Sequence, residues 1–382
     1  MKVSRYDYRS QFERLDEFMA KLTTMIVDGH YVLSDEVAEF ERAFAEHLGC
    51  SFIVGVNTGT DALLCSLKAL ELQPGDEVIT QANTFNATVS AICLAGLKPV
   101  LVDANEDSYL MDADQAMAGA GPRTRVILPV HLYGKPTPMG ELLRGCAKRG
   151  MELIEDAAQA HGARIEGRRV GTFGVLGCFS FHPSKNLAAA GDGGAVATNR
   201  ADLQGRLAAL RALGQAGQNN HVLVGYNTKL DAIQAKVLSW KLPSLDHWNE
   251  QRRGIARSYR EQLSDLPLKF QAWEEGEEHV FHLFAIRTEQ RARLLGYLQS
   301  KGVDAVVRYP VPIHLQPAFS HCGWREGQFP VAEALAREHL CLPIRPNLTV
   351  AEVGYVSDCV RSFFKGGAIG RDYSISQTQG AT

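Results

Sequence analysis

The sequence predicts an α/β fold, a mostly parallel sheet flanked by helices, with a smaller α+β unit after it. Three observations point there. Between about residues 30 and 200, short apolar runs alternate with stretches of helical periodicity, the mark of repeated strand–helix units. The length of 382 residues exceeds one ordinary core of about 150 and suits two domains, or one large domain with an appendage. A composition of 45% apolar and 22% charged residues excludes a disordered or fibrous chain. The expected division is a large α/β domain over 1–240, a small α+β domain over 241–365 and a loosely ordered Gly/Ser/Gln/Thr-rich tail over 366–382.

The elements follow in order. Ser34 stands where an N-cap belongs, before a helix whose apolar face is Val37, Phe40, Phe44 and Leu48. Seven β-like runs come next: FIVGV (52–56), EVIT (77–80), KPVLVD (98–103), RVILPV (125–130), ELIED (152–156), CFSF (178–181) and AVAT (195–198). Helical stretches lie between several of them, over Thr60–Ala69, Asn86–Leu94 and Met139–Arg149, the last closed by Gly150 as a C-cap. From Leu230 to Leu266 the pattern is helical and charged, so a long linking helix kinked near Pro243 is expected, with RRGIARSYRE as a solvated face. HVFHLFAIR (279–287) and VDAVVRY (303–309) read as strands of the smaller unit.

Charge and cysteine usage remove several classes of function. Forty basic against 43 acidic residues leave a net charge of −3, which offers nothing to nucleic acid or an acidic membrane surface. The eight cysteines form no CxxC pair and no metal-ligand spacing, so no metal is expected and they read as small apolar residues in a reducing cytoplasm. The opening MKVSRYDYRSQFERL has no apolar signal-like core, and no run of about 18 apolar residues occurs, so a cytoplasmic protein without a membrane span is expected.

Three segments can carry chemistry, because ligands of parallel sheets gather beyond the carboxyl ends of the strands. IEDAAQAHGA (154–163) ends an apolar strand in Glu155-Asp156, and a buried carboxylate there needs a cation or hydrogen-bond donors. Asp156 suits a protonated ring nitrogen, and equally the N-cap of an Ala-rich helix. FSFHPSKNL (179–187) puts Lys185 in a loop just past a strand; desolvated it would be a Schiff-base nucleophile, solvated an ordinary surface amine. VGVNTGTDALL (54–64) joins strand to helix through a turn whose free N–H groups and hydroxyls would cup a phosphate, although many such joints hold nothing. Together a phosphate cup, a carboxylate for a pyridinium nitrogen and a Schiff-base lysine are what pyridoxal 5'-phosphate requires. That lysine would also shuttle the proton.

At this point the sequence resembles the DegT/DnrJ/StrS-type sugar aminotransferases, over about residues 10–365. The resemblance rests on GHYVLSDEVAEFE, NTGTDAL, TFNAT, PVHLYGKP, IEDAAQAHGA, FSFHPSKNL, GYNTKLDAIQAKVL and YPVPIHLQPAF. It implies the aspartate-aminotransferase (type I) fold, with the cofactor in the large domain, and homodimers with shared active sites. Lys185 matches the lysine that forms the Schiff base, Asp156 the pyridinium partner, and Gln159 the contact to the cofactor's phenolic oxygen. Gly59, Thr60 and Ser180 match the phosphate ligands, Phe85 the ring stacked on the pyridine, and Asn227 a residue reaching the phosphate of the other subunit. Tyr309 and His314 are substrate-side candidates, though a turn set by Pro310 and Pro312 would explain much of that loop.

Two departures stand out. Many members read threonine after the lysine loop and then GEGG, where this chain has Ala188-Ala189-Ala190 and Gly191-Asp192-Gly193-Gly194. Arg308 stands where the 3-aminating branch commonly has histidine, and could meet a nucleotide phosphate, a donor carboxylate or a structural ion-pair partner. The resemblance implies ping-pong transfer of an amino group from L-glutamate, or glutamine, to a nucleotide-linked keto-sugar, at C3 of a dTDP-3-keto-6-deoxyhexose. The lysine at 185 disfavours related dehydratases that carry histidine there. The rivals are a cyclitol aminotransferase acting on an inosose and a non-catalytic cofactor-binding regulator. A nicotinamide oxidoreductase lacks its GxGxxG fingerprint.

Overall fold

The computed structural model describes residues 1–273 and 278–366. Apart from Gly366, the tail expected over 366–382 lies outside the described residues. Its helices are α1 (Leu15–Val27), α2 (Asp35–Leu48), α3 (Gly59–Ala69), α4 (Asn86–Leu94), α5 (Ala113–Gly119), α6 (Met139–Arg149), α7 (Ala201–Arg211), α8 (Ala232–Lys241), α9 (Leu245–Leu263), α10 (Arg291–Ser300), α11 (Pro330–Glu338) and α12 (Val350–Gly366). The strands are β1 (Phe52–Val56), β2 (Glu77–Gln81), β3 (Lys98–Val102), β4 (Thr124–Ile127), β5 (Glu152–Asp156), a small hairpin of β6 (Arg164–Ile165) and β7 (Arg168–Arg169), β8 (Leu176–Ser180), β9 (Gly194–Thr198), β10 (Lys269–Phe270), β11 (Phe284–Arg287) and β12 (His339–Leu342).

Seven strands form the main sheet in the order β1-β9-β8-β5-β4-β2-β3. All neighbours run parallel except β9, which is antiparallel to both β1 and β8. Alternation along each strand divides the core between two faces. Val54, Val78, Val126, Ile154 and Val196 point to one face, where α3, α4 and α7 supply Leu63, Leu67, Ile92 and Leu207. On the opposite face Ile53, Phe179 and Ala195 pack under α2 and α8, and Ile79, Ile127 and Leu153 under α5 and α6. Burial on both faces is why these strands read as continuous apolar runs. A second sheet, β10-β11-β12, is antiparallel and packs with α9, α10 and α12 around Phe284, Ile286, Leu340 and Val360. The start of the chain joins this second core, Val3 pairing with Val303 and Arg5 with Asp304.

Several local expectations need correction. Residues 303–309 form no strand; Val303 and Val306 make only single bridges, to Val3 and Cys341. The strand expected over 279–287 begins at Phe284, and the one expected over 125–130 stops at Ile127 before Pro129. The long helix over 230–266 is two helices joined by a tight turn, Leu242–Ser244, with Pro243 at the break. Within RRGIARSYRE, Arg252, Ile255 and Tyr259 are buried, so only part of that run is solvated. Arg252 donates to the carbonyls of Phe281 and Ile344 at 3.1 and 2.7 Å, locking α9 to the second sheet. Ser34 sits at the N-cap of α2, but its hydroxyl bonds to Glu36 rather than to a free backbone N–H. Among the described residues no helix is long and apolar enough to cross a membrane.

Candidate active site

Parallel pairing of β5 with β8 places Asp156 opposite Cys178, so the ends of both strands open into one region, with Ser180 two residues on. No helix follows Asp156; residues 157–163 run through tight turns, Ala160 N–H to Ala157 and Ala163 N–H to Ala160, so the helix-cap role does not arise. Its buried carboxylate instead accepts from the Thr88 hydroxyl (2.9 Å) and the Ala158 N–H (3.1 Å), one donor on each oxygen. Burial holds its pKa above the usual carboxylate value, against the lowering pull of those two bonds and of the Lys185 charge. Each oxygen keeps room for a further donor.

Its neighbour Glu155 points the other way and is fully buried. It accepts from the N–H groups of Gly171, Phe173 and Gly174 at 2.6, 2.6 and 2.7 Å, and from His131 Nε2 at 3.0 Å. Because His131 Nδ1 accepts from the Thr137 N–H, the ring's remaining proton is on Nε2 and goes to Glu155. The Glu-Asp pair therefore divides its labour, one carboxylate bracing β5 and the other facing the cleft.

Lys185 follows a tight turn, its N–H bonded to the His182 carbonyl at 2.8 Å, and is half-buried. Burial lowers its pKa to about 8; Asp156 opposes that fall and the Arg308 charge adds to it. A tenth of the amine is then neutral at pH 7, roughly, which an ordinary lysine does not approach. Behind the loop, the buried amine of Lys241 at the end of α8 holds the Ala188 carbonyl (2.9 Å) and the Gln11 amide oxygen (3.0 Å), lying over the Phe12 ring.

The strand-to-helix turn ahead of α3 forms as expected. Thr58 caps α3 by accepting the Asp61 N–H at 3.0 Å, which leaves Gly59 and Thr60 as the first helical N–H groups without intrahelical acceptors. A Cβ on Gly59 would stand 2.5 Å from Ser180 Cβ, so only glycine lets the turn close on Ser180. Gln159 is aimed by the backbone, its amide oxygen accepting the Tyr133 N–H (2.8 Å) while its NH₂ donates to the Tyr309 hydroxyl (3.1 Å). The Phe85 ring, 49% exposed, lies 5.2 Å from the Tyr309 ring and keeps a face open to a ligand.

Lys185, Asp156, Gln159, Phe85, Tyr309 and Arg308 thus gather at one place, beside the cup of Gly59, Thr60 and Ser180. Two candidates stand apart. His314 is buried, its ring bonded to Glu333 at 2.9 Å and packed edge-on against Phe329. Asn227 is exposed on a loop and accepts from the Lys229 amine. Thr88, Tyr133 and His131 were missed by the sequence reading, although TFNAT and PVHLYGKP contain them. The donor set fits pyridoxal phosphate: N–H groups for a dianion, a buried carboxylate with spare acceptor capacity for a ring N–H, and a largely desolvated lysine.

A family model for the DegT/DnrJ/EryC1/StrS aminotransferases matches residues 13–361. The chain belongs to that family. It is a pyridoxal-phosphate-dependent aminotransferase. The dTDP-3-amino-3,4,6-trideoxy-alpha-D-glucose transaminase of Streptomyces venezuelae is 40% identical over 95% of this chain and 96% of its own. The UDP-N-acetyl-3-dehydro-alpha-D-glucosamine 3-aminotransferase of Acidithiobacillus ferrooxidans is 40% identical over 95% of this chain and 98% of its own. The crystal structure of S. venezuelae DesV with a ketimine intermediate superposes with a TM-score of 0.93 at 40% identity, covering 95% of this chain and 99% of that one. The type I fold of this aminotransferase is thereby established, as the motifs implied.

Proposed function

We propose that this aminotransferase moves an amino group from glutamate, or glutamine, to a nucleotide-linked keto-sugar, at C3 of a dTDP-3-keto-6-deoxyhexose. The observation that carries the reading is the convergence of Asp156, Lys185 and the Gly59–Ser180 cup at the carboxyl ends of neighbouring strands. The two relatives described above, both named for 3-amination of nucleotide sugars, support the substrate class.

The bound cofactor supplies an electron sink for a carbanion at the donor's α-carbon. Asp156 holds the ring-nitrogen proton, and its own burial keeps water from competing for that bond. Lys185 takes the proton from the α-carbon and returns it, its lowered pKa leaving a free base near neutral pH. The N–H groups of Gly59 and Thr60 and the Ser180 hydroxyl bind the phosphate, with the α3 dipole favouring the dianion. Phe85 would cover one face of the ring, and the Gln159 amide, held by Tyr133, would bond to the phenolic oxygen.

A homodimer with shared sites belongs to the same proposal. Leu15, Met19, Ile26 and Val27 of α1, with Leu213, Val222 and Val224 before Asn227, are exposed apolar side chains that a second copy would cover. The dimer would bring Asn227 to the partner's phosphate cup.

The purified protein is expected to be yellow, to release 2-oxoglutarate from glutamate, and to regain its colour with a nucleotide keto-sugar. Lys185→Ala should be colourless and inactive. A Lys185→Ala protein transaminating at the wild-type rate, or colour restored only by a keto-inositol, would overturn the assignment.

A further inference from the structure

Arg308 is the cation of the cleft that the chemistry above leaves without an anion. Its residue follows from the loop: Tyr309, next in sequence, meets Gln159 at 3.1 Å and the Phe85 ring at 5.2 Å. Its backbone is held, because the buried Tyr133 hydroxyl donates to the Arg308 carbonyl, and the Tyr133 N–H holds Gln159. The guanidinium thus springs from an anchored point on the cleft wall.

Other buried arginines are spent. Arg287 pairs with Glu338 at 2.8 Å, and Arg252 donates through one nitrogen to two carbonyls. Arg308, half-buried, has no ion pair and no side-chain hydrogen bond among the described residues, so the structural ion pair is not its role. Its charge presses Lys185, His182 and His282 each toward the neutral form. Keeping a second cation beside Lys185 is unfavourable until an anion arrives. Asp156 is committed to the ring nitrogen, and the cofactor's phosphate has its own cup at α3.

Three anionic groups enter with glutamate and the sugar nucleotide: the donor's α-carboxylate, its side-chain carboxylate two methylenes further from the reacting carbon, and the diphosphate. The α-carboxylate is bonded to the carbon that Lys185 deprotonates. The diphosphate hangs from C1 through an oxygen, two ring carbons from a reacting C3. Only the first must lie within reach of Lys185 and of a residue whose charge Lys185 feels.

We propose that the Arg308 guanidinium grips the α-carboxylate of the amino donor in a two-pronged bond and so selects α-amino acids as donors. This rests on the aminotransferase reading with a glutamate-type donor. It makes Arg308 a specificity residue of the first half-reaction alone.

The test follows the bleaching of the yellow holoenzyme by glutamate without sugar, in wild type, Arg308→Gln and Arg308→Lys, with calorimetric binding of dTDP beside it. Read at a pH above the Lys185 midpoint, where the change in that midpoint no longer counts, Arg308→Gln should raise the half-saturating glutamate concentration about 10- to 100-fold, the loss expected for a charge-assisted pair, with the limiting rate little changed. Arg308→Lys, which keeps the charge and loses the fork, should fall between, and dTDP affinity should stay as in wild type. An unchanged glutamate requirement in both variants, or a loss confined to dTDP, would overturn the proposal while leaving the function intact. Wild-type enzyme that neither glutamate nor glutamine bleaches would overturn both.

Discussion

Capture of pyridoxal phosphate by the apoprotein should report the pKa of Lys185 directly, since only the neutral amine attacks the aldehyde. With that pKa at about 8, roughly 1% of the amine is free at pH 6 and half of it at pH 8. The capture rate, followed by the growth of yellow absorbance after stopped-flow mixing, should therefore rise about fifty-fold across that interval and level off above it. An ordinary lysine, at 10.5, would leave the rate still climbing tenfold per pH unit at pH 9. Two substitutions fix the cause. Asp156→Asn removes the charge that raises the pKa and should move the midpoint down; Arg308→Gln removes one that lowers it and should move the midpoint up. A midpoint near 10.5, or shifts of the opposite sign, would refute the account of how the pocket prepares its nucleophile.

Lys185 and Lys241 are both held at about 8 against 10.5, so the unfolded chain binds more protons between those values. Stability of the apoprotein in urea should accordingly rise with pH across that window and fall as pH drops through it. Thr88→Val deletes the hydroxyl on Asp156 and should push the carboxyl's pKa further up, weakening cofactor binding about tenfold or more by equilibrium titration. Glu155→Gln sets an NH₂ group against backbone donors in a dry site; a loss of about 3 kcal/mol in urea unfolding is expected, and near-wild-type stability would refute the bracing role.

The main sheet was legible because strands buried on both faces leave unbroken apolar runs with turns between them. The turn at Gly59 and the loop position of Lys185 were legible for a related reason: each lies just past a strand, where local sequence decides the backbone. What stayed hidden is pairing at long range. Thr88 meets Asp156 across 68 residues, and Tyr133 aims Gln159 across 26, with no local pattern to announce either. Alternation could say that Glu155 and Asp156 part, but not which one would find four donors. The 303–309 segment has strand-like residues but pairs only at two isolated bridges, Val303 to Val3 and Val306 to Cys341 in β12. Arg252 shows the limit of charge patterning, since a buried arginine that donates to two carbonyls looks like any other in a basic run.

Val3 is stitched to Val303 beside the small sheet, and eight and nine residues later Gln11 and Phe12 meet the amine that steadies Ala188. The opening dozen residues therefore act as a guy-rope between the far sheet and the loop bearing Lys185. Trimming them, or fusing a bulky handle there, would slacken that loop from behind without altering a single side chain in the cleft.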